Sequence, residues 1–124
     1  MPIIPLADSE LFELEGTSFH SLVRPETSGC EQAVWRVVVS GTEMPAPHTL
    51  DRDEVLVALV GAARAHLDGS EHPVGVGDTI VVPAGTPFAL CAAGGEPFEA
   101  YAVLPAGTKA CLSGGEPFVP PWVR

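Results

Sequence analysis

His48 and Glu54 stand six residues apart in PAPHTLDRDEVLVALVG (45–61), a stretch that closes on Gly61. An imidazole and a carboxylate at this spacing look like half of a metal site. Alternatively, they form an acid–base couple. A carboxyl group taken out of water holds its proton to higher pH, and a histidine changes charge near neutrality, so the two can take and return a proton.

Other side chains could join them. Arg36, between Trp35 and Val37, is a basic group embedded in an apolar run, placed to bind a substrate carboxylate or to pair with Glu54. Tyr101 in FEAYAVL shares a strand face with Glu99 and Val103, and offers either a phenolic acid or a packed ring. His20 alternates with Leu22 and Arg24. His66 alternates with Arg64 and Asp68, which points it to water, and His72 follows a turn in GSEHPVG, which exposes it. Cys91, between Leu90 and Ala92, has no histidine at a telling spacing and reads as a small buried hydrophobe.

The elements that must position these groups are strands. Thirteen glycines and thirteen prolines cut the chain of 124 residues into short apolar runs. SFHSLV, AVWRVVVS, EVLVALV, ARAHLD, DTIVVP, FALCAA and FEAYAVL are strand-like, and turn signals separate them at the spacing of an all-β sandwich or barrel. DSELFELEG is a helical turn or an edge strand. The length suits a single domain, 1–124, with a core over about 33–105 and a tail, 106–124, that packs across it. Two similar segments, CAAGGEPF and CLSGGEPF, are too few for a repeat architecture.

Six basic residues against sixteen acidic ones leave a net charge of −10, which repels phosphate backbones and anionic membrane surfaces. Nucleic acid and membrane are therefore not expected partners. The first residues, MPIIPLADSELFELEG, lack the basic and apolar regions of a signal peptide. Three cysteines without CxxC spacing suit a reducing cytoplasm.

Gly41, His48, Glu54 and Gly61, followed by GDTIVVPAGTPF (77–88), resemble the two signature motifs of the cupin superfamily. The first motif runs G-x5-H-x-H-x3,4-E-x6-G and the second G-x5-P-x-G-x2-H-x3-N. Gly77, Pro83 and Gly85 match the second at its start. His48, Glu54 and Gly61 match the first, although the gap from Gly41 to His48 is one residue longer. The resemblance extends from about Trp35 to Leu104. Leu50 stands at the second histidine position, Phe88 at the third and Ala92 at the asparagine position. Neither leucine nor phenylalanine has a lone pair to give a metal.

The resemblance implies an antiparallel β-sandwich closed toward a barrel, the double-stranded β-helix or jelly-roll-like fold of cupins. It also implies an inward face that makes Leu50, Leu56, Phe88, Leu90 and Ala92 an apolar pocket around Glu54, with Arg36 and Tyr101 as further lining. Its expected function is metal-independent acid–base chemistry by His48 and Glu54 on a small, largely apolar substrate, as an isomerase, cyclase or lyase in bacterial, including secondary, metabolism. One alternative is a non-catalytic binder. Another is a metal-dependent enzyme with a rebuilt site, holding iron, zinc, manganese or nickel through His48, Glu54 and His20. Apolar residues on both faces of EVLVALV, which one barrel interior cannot bury alone, make a homodimer the expected assembly.

Overall fold

A computed structural model describes residues 3–124. Eleven strands follow in order: β1 (Glu10–Leu14), β2 (Thr17–Val23), β3 (Gln32–Val39), β4 (Thr49–Leu50), β5 (Glu54–Val60), β6 (Ala63–Leu67), β7 (Ser70–Val74), β8 (Thr79–Val82), β9 (Phe88–Ala92), β10 (Phe98–Pro105) and β11 (Ala110–Cys111). The seven strand-like runs of the sequence all lie in strands. DSELFELEG becomes the edge strand β1 after a 3-10 turn at Leu6–Asp8, and a single helical turn, α1 (Pro25–Ser28), joins β2 to β3. The strands β4, β7 and β11 go beyond the sequence reading.

Antiparallel pairing gives a six-stranded sheet in the order β1-β2-β3-β10-β5-β8, a three-stranded sheet β7-β6-β9 and a small pair β11-β4. Alternation along the strands puts one side of each residue pair into a shared apolar core. On β10, Phe98, Ala100, Ala102 and Leu104 are buried. They face Trp35 and Val37 of β3 and Leu56 and Ala58 of β5 across the registers Ala102↔Trp35, Ala100↔Val37, Ala102↔Leu56 and Ala100↔Ala58. Alanines at many of these positions leave room for the rings of Trp35, Phe88 and Phe98.

Two features hold the ends of the strands. Gly61 ends β5 at φ +75°, and a Cβ there would collide with the carbonyl oxygen of Pro97, so the motif glycine serves a close crossing of chain segments. The C-terminal segment returns over β2 and β3: Val123 is fully buried, and Trp122 stacks on Phe19 with ring centroids 3.7 Å apart and planes 8° from parallel. Arg24 ties this corner together through Glu10 at 2.6 Å, Glu26 at 2.9 Å and the carbonyl of Arg124 at 3.2 Å.

Candidate functional site

Glu54 opens β5 with its side chain in phase with Leu56 and Ala58, so strand alternation carries a carboxyl group into the core. Its neighbours Asp51 and Asp53 do different work. Asp53 accepts the backbone N–H of Ala84 at 2.8 Å, and Asp51 accepts that of Lys109 at 2.8 Å. These two acids lock the loop before β5 to the turns around it, leaving Glu54 as the one that turns inward.

Burial alone pushes the Glu54 carboxyl up to about 8, with no donor or cation to offset it. His48 is held between strands: its N–H donates to the carbonyl of Phe88 and its carbonyl accepts the N–H of Phe88, both at 2.9 Å. The imidazole meets the Phe88 ring edge-on, with centroids 5.8 Å apart, and burial lowers its pKa. No hydrogen bond or ion pair joins His48 to Glu54. The two are separate groups at one interior, and their surroundings push their pKa values in opposite directions.

Leu50, Leu56, Phe88 and Ala92 are buried in the same core, with Leu90 half-buried against it. Leu50 pairs with Ala110, and its carbonyl accepts the N–H of Gly85, which joins the two motif segments. Leu67, Leu90 and Ala65 continue this inner face on the three-stranded sheet through the pairs Leu67↔Phe88 and Ala65↔Leu90.

Arg36 and Tyr101 lie elsewhere, and the interior position expected for them is corrected here. They face each other on the outer side of the six-stranded sheet, opposite in phase to Trp35 and to Ala100 and Ala102. Arg36 donates from Nε and Nη2 to Glu99, at 2.8 and 2.5 Å, and makes no pair with Glu54. His20 is opposite Arg36 on that same outer face, so it cannot supply a third ligand beside His48 and Glu54. The register decides this. Both parities of these strands are partly apolar, and only pairing with β5 and β10 shows which one turns in.

His72 lies on β7, a strand that the turn signals of the sequence do not announce. It is exposed, as expected, but β7 places it opposite the buried Ala65, on the edge of a hollow of about 300 Å³ between β7 and β8. Asp78 and Ile80 also line this hollow. SEHPV carries no apolar alternation, so the sequence gives no sign of this strand. His66 pairs opposite Glu71 and Ala89 on the outer side of its sheet.

The residues at the family's ligand positions do not fit a metal. Two of the four are hydrocarbon, and among the described residues no three His, Cys, Asp or Glu side chains converge on one point.

Two antiparallel sheets enclosing an apolar interior, with one acid and one imidazole reaching into it, define a small β-sandwich of the barrel type. The family model for the cupin domain matches residues 34–104, more than half of the chain, and the protein belongs to that family. Among solved structures, the polyketide cyclase RemF from Streptomyces resistomycificus is similar, with 18% identity, coverage of 98% of this chain and 88% of that one, and a TM-score of 0.78. Hydroxypropylphosphonic acid epoxidase from S. wedmorenis is similar at 18% identity over 83% of this chain and 58% of that one, with a TM-score of 0.73. A conserved protein of unknown function, SPY1581 from Streptococcus pyogenes, reaches 26% identity over 75% and 76%, with a TM-score of 0.60. No curated protein matches the sequence. Among the described residues, no helix is long and apolar enough to cross a membrane.

Proposed function

We propose that this cupin carries out metal-independent acid–base chemistry on a small, largely apolar carbonyl compound, as an isomerase, cyclase or lyase of bacterial, including secondary, metabolism. It works in the cytoplasm, consistent with its free thiols, and as a homodimer. The observation that carries the reading is the Glu54 carboxyl, buried without a partner and raised to about 8. At pH 7 such a group holds its proton in about ten molecules for each one ionised. His48, lowered by burial, is neutral at the same pH. Glu54 is then the acid and His48 the base, and both are neutral before the substrate reacts.

With a substrate between them, His48 removes a proton from the carbon next to a carbonyl while Glu54 gives its proton to the carbonyl oxygen, forming an enol. Return of the proton to the opposite face of that carbon, or to the γ-carbon where the enol is conjugated with a further C=C bond, with Glu54 recovering its own, yields an isomer. Attack of the enol carbon on a second carbonyl of the same molecule closes a ring, the enol O–H returning its proton to Glu54 and the new alkoxide taking the one held by His48. Similarity to a polyketide cyclase over nearly the whole chain supports this class of substrate.

The test uses acetylacetone as the probe in D2O, with chelator present, and follows deuterium entry next to the carbonyl by NMR. Exchange that exceeds the buffer rate and falls on Glu54→Gln and on His48→Ala supports the proposal. Exchange stopped by chelator, or equal in the variants, overturns it. The apolar side chains of Leu50, Leu56, Phe88 and Ala92, buried in the same interior, also favour a second reading, a binder without chemistry. Tight uptake of an apolar ligand that emerges unchanged would select it.

A further inference from the structure

The outer face of the six-stranded sheet is not the polar surface that an antiparallel sheet usually turns to water. Across β3, β10, β5 and β8 its outward positions include Val34, Val103, Val55, Val57 and Val81. The pairs Val103↔Val34, Val103↔Val55, Val55↔Val81 and Tyr101↔Val57 make them contiguous. Val55, Val57, Val81 and Tyr101 are 36, 38, 56 and 39% exposed. In the middle sits Arg36, facing Tyr101 on one side and His20 on the other, its guanidinium held by Glu99. Arginine and tyrosine surrounded by aliphatic side chains is the composition of an interface centre, and the bond to Glu99 fixes the arginine before any partner arrives.

We infer that this face is where a second copy of the chain docks, sheet against sheet about a twofold axis, with Tyr101 and Arg36 at the centre of the contact. The inference rests on the homodimer proposed above and names its surface. Charge selects the occupant. The chain carries −10, so two copies repel each other over most of their surfaces. On the outward positions of β3, β10, β5 and β8 the only charges are Arg36 and Glu99, which cancel, so like-charged copies meet there with the least repulsion. The area suffices: five strands, β2 included, span roughly 24 Å by 17 Å. Two such faces together cover about 800 Å² in projection, and the relief of their side chains brings the accessible area toward the ~1,000 Å² at which specific interfaces begin. A self-complementary patch of this kind closes on itself as a pair and leaves no face for further growth.

Tyr101 is the chain's single tyrosine, which makes its phenol a reporter in the unaltered protein. Light scattering is expected to give twice the 12.9 kDa chain mass. Nitration by tetranitromethane should be slow in the dimer and at least about tenfold faster once dilution dissociates it. Added salt should tighten the dimer, because it screens the repulsion between two chains that each carry −10. Val57→Asp and Tyr101→Asp should give monomers with unchanged circular dichroism, whereas His66→Asp, on the outer side of the other sheet, should leave the dimer intact. A dimer whose Tyr101 nitrates as fast as free tyrosine overturns this surface while the homodimer stands. A monomer at all concentrations overturns both, and neither result bears on the acid–base chemistry. If the aspartate variants fail to fold, nitration of the wild-type chain decides alone.

Discussion

Glu54 stands directly opposite Val82 in the β5–β8 pair, and the two side chains are 5% and 1% exposed. A carboxyl group set against a buried valine, with Leu56 next on the same strand face, has no hydrogen-bond donor or cation beside it.

That placement fixes a pH dependence of stability. In the unfolded chain Glu54 ionises near 4.5, and in the folded chain near 8. Between these values the folded state keeps a proton that the unfolded state releases. The contribution is therefore whole below 4.5 and lost as pH rises through 8, on the order of a few kcal/mol. His48 acts in the opposite sense: its lowered pKa withdraws stability as pH falls below 6.5. Urea unfolding across this range should show Glu54→Gln stabilised relative to wild type near pH 8, with the loss above 4.5 flattened. An unchanged slope in the variant would show that Glu54 is solvated.

Replacing Leu50 and Phe88 with histidine together, Leu50→His with Phe88→His, should complete the ligand set that the motif resemblance implies. Elemental analysis of protein purified without chelator should find close to one zinc or manganese per chain in the double variant, and none in wild type. Equal metal in both would mean that donors other than these positions hold it.

Gly61→Ala should cost about 2 kcal/mol or more, since it combines a positive φ with a collision against the Pro97 carbonyl. Gly69, also at positive φ but with open space around it, should cost less on the same change. Thermal melting of the two variants side by side reads the difference.

Trp122→Ala removes the ring that stacks on Phe19 and approaches Phe12, with centroids 6.3 Å apart for the latter pair. A loss of about 3 kcal/mol is expected for this half-buried ring, together with faster hydrogen exchange in β2. A variant as stable as wild type would show that the C-terminal segment adds nothing to the body of the fold.

Period-two alternation and frequent turn residues were enough to identify the all-β class and seven of the strands, because pleating writes burial into the sequence directly. The glycine and proline framework from Gly41 to Gly85 was equally legible, as at Gly61, where no other residue fits the backbone. The strand β7 escaped because turn formers surround it and its residues do not alternate. The side of the sheet on which Arg36, Tyr101 and His20 fall was also hidden. Alternation says which residues share a face, but not which face is inside.

That choice belongs to tertiary pairing. Trp35 opposite Ala102, and Ala102 opposite Leu56, commit one parity of three strands to the core at once, and Arg36 and Tyr101 go outward as a consequence. The sequence by itself determined that a histidine and a glutamate occur at motif spacing without their usual partners. Only the folded chain decided that they stay apart, one raised and one lowered in pKa, because burial depends on what the neighbouring strands bring.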